Sequence, residues 1–182
     1  MNQFKEKNKQ LIGLKAYLKS IRIKNMLWAW IGSFLTISLI GYVHDYLHIL
    51  SDGAFTMMIA SFGASAVMAF GVMESPLAQP KNIICGHMLS AIVGVISYKL
   101  FGSHIWLASS VAVSTSIVVM LLTKTLHPPG GATALTAVIG GTNIHNLGYL
   151  FPFVPVGVGA SVVVLIAMVI NNIPKNSKYP NV

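Results

Sequence analysis

Five long apolar runs, 27–43, 54–73, 83–101, 105–123 and 149–170, govern what this chain can fold into. Each approaches the ~20 residues an α-helix needs to cross the hydrocarbon core of a bilayer. Trp28, Trp30, Tyr42, Tyr46, Tyr98, Trp106 and Tyr149 sit near the run ends, where interfacial aromatic anchors belong. A soluble domain averages about 25% charged residues. Here charged residues make up 9% of the chain and apolar ones 54%. That shortage excludes a water-facing globule of 182 residues and points to an integral membrane protein. A sixth run, 132–141, covers only about 15 Å as a helix and cannot cross alone. The expected fold is all-α: a compact bundle of about five transmembrane helices, plus a short half helix after a His-Pro-Pro segment.

Charge sets the expected orientation. Lys5, Lys7, Lys9, Lys15, Lys19, Arg22 and Lys24 all precede the first run, a positive-inside pattern that puts the N-terminus in the cytoplasm. Within 11–24, Leu11, Leu14, Leu18 and Ile21 share one helical face, and Lys15, Lys19 and Arg22 another. That pattern predicts an amphipathic interfacial helix in contact with anionic lipid, with no basic surface left for nucleic acid. The basic lead-in is too long for a cleavable signal peptide, and further spans follow. Lysine far outnumbers arginine, against an Arg-rich organellar transit sequence, so a bacterial plasma (inner) membrane is expected. The organisation is a basic segment over 1–25, a transmembrane unit over 26–173 and a tail over 174–182. Lys175 and Lys178 favour a cytoplasmic tail, which requires 132–141 and 142–148 to cross together; a re-entrant 132–141 would put the tail outside.

Two segments interrupt the apolar pattern at the same predicted side. His127-Pro128-Pro129-Gly130-Gly131 precedes the short run, and Ser75-Pro76-Leu77-Ala78-Gln79-Pro80-Lys81-Asn82 precedes the third. Irregular backbone at membrane depth has to be shielded by protein or line a wet cavity. Pro80 and Pro129 each open a helix, hinting at a parallel internal repeat, and matching interrupted segments point to transporter binding sites. The N–H groups of Gly130, Gly131 and Ala132 are expected to be unpaired and to form, with the helix dipole, an anion-binding end. One such end contributes about 0.3–1 kcal/mol, too little to offset dehydration of a small anion. The expected substrate-binding set therefore spans both segments: Ser75, Gln79, Asn82 and His87 with His127, Pro129, Gly130, Gly131, Ala132 and Thr133. Lys81 and Lys124 are candidates for electrostatic support.

His87, inside the third run, is either a functional group or a neutral histidine bonded to a neighbouring backbone carbonyl. Small residues recur at four-residue spacing, as at Ser61/Ser65/Ala69 and Gly86/Ser90/Gly94, which favours tight helix packing. His44, Asp45 and His48 lack the further ligands a metal site needs. Cys85 is the lone cysteine, so an intrachain disulfide is excluded. No paired carboxylates, Ser-His-Asp order or phosphate-binding loop stands out, so neither catalysis nor a cofactor is expected.

The stretch Leu126-His127-Pro128-Pro129-Gly130-Gly131-Ala132-Thr133-Ala134-Leu135 resembles the signature of the HPP family of integral membrane proteins. Ser75–Asn82 followed by Gly86-His87, and Phe62-Gly63-Ala64-Ser65-Ala66, are similar to its other marked segments. The resemblance implies a small protein with about four spans that acts as a transporter; members in chloroplasts and cyanobacteria are linked to nitrite transport. The expected function is therefore transport of a small anion, nitrite first, held between 75–82 and 127–133. The alternatives are a channel-like pore for a small neutral polar solute such as urea, or a membrane subunit that docks a partner. So small a bundle leaves little room for a private pore, which makes a homo-oligomer plausible.

Overall fold

In a bilayer every backbone N–H and C=O needs an internal partner, so apolar runs of this length become helices. The computed structural model describes residues 23–47, 52–175 and 177–181, and all regular structure among them is helical. Helix α1 spans Ile23–Leu47 and α2 Asp52–Ala66, which continues into a π turn at Val67–Gly71. A 3-10 turn at Pro76–Ala78 leads into α3, Pro80–Phe101, and α4 follows at Ile105–Leu122. Helix α5 covers Pro129–Ile139 and α6 Thr142–Leu147. A 3-10 turn at Gly148–Leu150 and a π turn at Pro152–Gly157 then open α7, Val158–Ile170. Val154 is extended inside that π turn because the ring of Pro155 disfavours helical backbone in the residue before it.

Among the described residues, four stretches are long and apolar enough to cross a membrane: Asn25–Tyr46, Pro80–Phe101, Ile105–Leu122 and Pro152–Ile170. The second apolar run yields a shorter stretch, Phe55–Gly71, and the sixth yields Pro129–Ile139. The all-α membrane bundle expected from the runs is the observed one, with the second run joining the shorter class. The predicted interfacial helix over 11–24 lies outside the described residues except for its last two positions.

Helix direction alternates, and this brings both interrupted segments to one end. The starts of α1 and α3 and the ends of α2, α4 and α7 meet there. Asn25 and Trp28 line a cavity of about 410 Å³ with Met73, Glu74, Ser75 and Asn171. At the far end, Tyr98 near the end of α3 stacks on His145 of α6 with ring centroids 3.5 Å apart. Helices α5 and α6 together therefore reach the far end, as the charge pattern favoured over a re-entrant loop. The hairpins α2–α3 and α4–α5 run in the same direction, and each bends through a Pro-containing segment.

The main core joins Met58, Phe62 and Phe70 of the second run to Ile83 of α3 and Val163 and Ala167 of α7. A smaller one packs Ala108 and Ala112 of α4 against Ala134 and Val138 of α5, where small side chains let backbones approach. Outside, Trp30 is 62%, Trp106 71% and Leu122 79% exposed. In water so broad an apolar surface would drive association; against lipid it costs nothing.

The tail folds back over the first interrupted segment. Asn171 Nδ2 donates to the Ala69 carbonyl at 2.8 Å, tying the end of α7 to the π turn. Tyr179 is buried, and its hydroxyl donates to the Ala78 carbonyl at 2.7 Å. Its N–H donates to Asn172 Oδ1 at 3.0 Å, and the Asn181 N–H donates to Gln79 Oε1 at 2.9 Å. The tail thus lies at the same end as both interrupted segments. Burial pushes the Tyr179 phenol up from 10.0 to about 12. A raised folded-state value means that the associated stability is complete below the ordinary tyrosine range and is lost as pH rises through about 12. A phenolate absorbance titration of the protein minus that of Tyr179→Phe is expected to isolate one tyrosine ionising about two pH units late. A difference curve centred on the ordinary range would mean that the ring is wet.

Candidate functional site

The two interrupted segments are built mainly by hydrogen bonds within the chain. Ser75 caps the 3-10 turn, its Oγ accepting from the Leu77 N–H at 3.2 Å. Gln79 Nε2 donates to the Met73 carbonyl at 3.0 Å and to the Ser75 carbonyl at 2.9 Å. Pro76 and Pro80 stand at the first positions of their helical turns, where a missing N–H costs nothing. At the second segment, Lys124 turns the chain with φ 55°, and Pro129 opens α5. Two bonds join the segments. Asn82 Nδ2 donates to the Leu126 carbonyl at 2.9 Å, and His127 Nδ1 meets the Leu77 carbonyl at 2.9 Å.

The expected free N–H groups are not free at both glycines. The Gly130 N–H donates to the His127 carbonyl at 2.8 Å, and that of Gly131 to the Pro128 carbonyl at 3.0 Å. Pro128 is already helical in conformation, so the turn begins early and its carbonyls come within reach of the first N–H groups. Polar chemistry at this junction is therefore carried by side chains. Glycine has a different role here. A Cβ at Gly130 would lie 2.8 Å from Ser90 Oγ and 2.9 Å from the Gly86 carbonyl. One at Gly86 would lie 2.7 Å from His127 Cβ and 2.9 Å from the Thr125 carbonyl. The backbones of α3 and α5 touch at this crossing, and that brings the two histidines together.

Their ring centroids are 5.0 Å apart, and both side chains have no exposure. Ser65 of α2 stands between them, its Oγ 2.7 Å from His87 Nε2 and 2.9 Å from His127 Nε2. His87 Nδ1 lies 2.7 Å from Thr133 Oγ1, which lies 2.7 Å from Ser61 Oγ. Ser61 Oγ also donates to the Pro129 carbonyl at 2.9 Å. No buried side-chain N or O among the described residues lacks a partner.

One end of this chain sets the direction of the bonds as far as Thr133. The Leu77 carbonyl can only accept, so His127 Nδ1 carries a hydrogen, and in a neutral ring Nε2 must then accept. Ser65 supplies its one hydrogen there, at 2.9 Å, in preference to the Ser61 carbonyl at 3.2 Å, and accepts from His87 Nε2–H. His87 Nδ1 is left to accept from Thr133, and Ser61 shares its one hydrogen between Thr133 Oγ1 and the Pro129 carbonyl. The opposite tautomer of His87 would use the Ser65 hydrogen and leave His127 Nε2 facing a lone pair.

Of the residues expected at the site, His87, His127 and Thr133 join directly, and Pro129 does so through its carbonyl. Gly130 shapes the crossing, while Ser75, Gln79 and Asn82 brace the segments. Ala132 is exposed; Gly131 is half-buried, with Val113 4.0 Å from where its Cβ would stand. Lys81 and Lys124 are exposed. In the sequence Ser61 and Ser65 stand out as small residues four apart on a packing face, and Ser65 also falls in the Phe62–Ala66 segment of the family resemblance, with no sign in either of a bridge between histidines. The Leu77 carbonyl has no sequence signal. Among the described residues, no three His, Cys, Asp or Glu side chains come together as a metal site.

Comparison with known proteins agrees with this architecture. The family model described as the HPP transmembrane region matches residues 18–180. Two transmembrane proteins of Dictyostelium discoideum are 46% and 39% identical to the chain over 156 residues, 84% of its length. The chain spans about half of each relative, 54% and 49%. No solved structure matches. The matched region takes in both Pro-containing segments and the histidine pair, and the chain belongs to the HPP family of transmembrane proteins.

Proposed function

We propose that this chain transports a small anion, nitrite first, across the membrane, with the solute passing the junction of 75–82 and 127–133. One observation carries the reading: Ser61, Ser65, His87, His127 and Thr133 converge, each no more than 2% exposed, from three helices and an interrupted segment. Polar groups inside a membrane bundle are costly to keep, and they cluster along substrate paths. Hydroxyls and imidazoles can exchange their internal bonds for bonds to a compact anion. The wide cavity beside Met73–Ser75 provides a vestibule at the same end. Beside the network, Ala91, Ala134 and Val138 are fully buried, so on this proposal the path has to open there for the solute to pass.

On this proposal the chain is a carrier rather than an enzyme, in a bacterial plasma membrane, with its basic N-terminal segment on anionic lipid at the cytoplasmic face. A neutral polar solute such as urea is the second reading, favoured because the network holds no fixed charge. The test is uptake into liposomes containing the purified chain, with protein-free vesicles as baseline. Thr133→Val keeps shape but removes the hydroxyl between His87 and Ser61, and nitrite uptake is expected to fall at least about tenfold, the size of one lost hydrogen bond to a charged group. Unchanged uptake would take the network out of the path. Urea flux that neither saturates nor responds to membrane potential, without nitrite flux, would favour the second reading.

A further inference from the structure

The hydrogen-bonded chain can hold an additional proton without losing a bond. A proton reaching Thr133 Oγ1 lets Thr133 pass its own hydrogen to His87 Nδ1. His87 then passes its Nε2 hydrogen to Ser65, and Ser65 passes its hydrogen to His127 Nε2. At the end His127 is an imidazolium that donates to Leu77 and Ser65, and Ser65 donates to His87. His87 donates to Thr133, and Thr133 is free to donate to Ser61, which keeps its bond to the Pro129 carbonyl at 2.9 Å. The charge can equally rest on His87, with Ser65 donating to His127. A second proton would place two cations with ring centroids 5.0 Å apart in a dry site, so the pair accommodates one.

Among the described residues, no group is positioned to compensate that charge. From α2 the pair meets Ser61, Phe62 and Ser65, none of them titratable. Helices α4, α5 and α7 contain no ionisable side chain other than hydroxyls. Lys81 on α3 and Lys124 before α5 are exposed and of the wrong sign, and Cys85 makes no bond to either ring. Glu74 on the 72–79 connection is exposed and makes no ion pair with either ring, and Asp45 belongs to the far end of α1. Nothing among the described residues supplies the counter-charge.

We propose that His87 and His127, bridged by Ser65, form a one-proton site whose counter-charge is the transported anion, so that proton and anion are taken up together. This inference rests on the transport reading above and supplies its coupling ion. A buried imidazolium is stabilised by a neighbouring negative charge, and an anion that loses its water is stabilised by the imidazolium. Each therefore raises affinity for the other by the same factor.

The test uses the full chain with nitrogen-labelled histidine in detergent micelles, each histidine assigned by single replacement. On acidification from about pH 8 to about pH 4, both rings are expected to shift together at one midpoint, with about one proton shared between them. Two independent titrations, or no protonation of either ring, would overturn the site. Adding nitrite at neutral pH in weak buffer is expected to draw in about one proton per chain. His87→Gln, which keeps an amide toward Ser65, is expected to cut that uptake at least about tenfold. Nitrite binding seen by calorimetry with no proton uptake would overturn the coupling and leave the transport reading intact. A shared titration without nitrite binding or flux would overturn the anion reading and the coupling with it.

Discussion

Ser65→Ala is expected to destabilise the bundle by about 2–5 kcal/mol, because it leaves two buried ring nitrogens without a partner at once. The Ser65 hydroxyl gives its hydrogen to His127 and accepts from His87, at 2.9 and 2.7 Å. Neither ring has an alternative. His127 Nδ1 is held by the Leu77 carbonyl, and His87 Nδ1 by Thr133. Stranding a buried donor or acceptor costs about 1–3 kcal/mol each, and a linked network adds to the sum. Ser110→Ala is the control: its hydroxyl is exposed and bonds only the Trp106 carbonyl of its own helix, at 2.8 Å. That change is expected to stay within about 0.5 kcal/mol. Reversible unfolding in mixed micelles separates the two. Equal stability of both variants would mean that the serine bridge does not hold the histidines.

Neighbouring glycines are expected to respond in opposite directions. Gly130→Ala drives a Cβ to 2.9 Å from the Gly86 carbonyl and 2.8 Å from Ser90 Oγ. The serine can rotate away, but a carbonyl inside a helix cannot, so α3 and α5 must separate. Overpacking of this kind costs about 1–3 kcal/mol, and Gly130→Val is expected to cost more. At Gly131 the nearest atom beyond its own helix is 4.0 Å away, in ordinary contact. Gly131→Ala is therefore expected to be neutral or to stabilise by up to about 1 kcal/mol, through helix propensity alone. The same unfolding assay checks the order, and Gly131→Ala as the more damaging change would reverse the assignment of the contact. Separation of α3 from α5 would also stretch the His87–Thr133 bond that joins them, so nitrite uptake is expected to fall with stability at Gly130 and to persist at Gly131.

The divergence of Gly130 and Gly131 shows where sequence reasoning stops. Both follow Pro129 in an identical local context, and both were expected to expose N–H groups. Which of them meets another backbone depends on the rotation of α5 against α3, a long-range property. Ser61 and Ser65 are a similar case. Their four-residue spacing marks one helical face, but a face with small residues carries no label saying what packs on it. His87 and His127 stand out as polar groups in apolar surroundings, yet their 40-residue separation hides that one serine bridges them.

By itself the sequence determined the solvent, the helical class, the two Pro-interrupted segments and their placement at one end. All of these follow from local constraints: hydrocarbon thickness, backbone hydrogen bonding in lipid, the missing N–H of proline and the distribution of lysine. The tertiary structure alone decided that the N–H groups of Gly130 and Gly131 are satisfied and that the polar chemistry lies in a Ser-His-Thr network. It also decided that the tail closes over Ala78 and Gln79. These depend on the direction and distance of side chains on helices far apart in the chain. A hydrogen bond is settled within a few tenths of an ångström, which no one-dimensional pattern encodes.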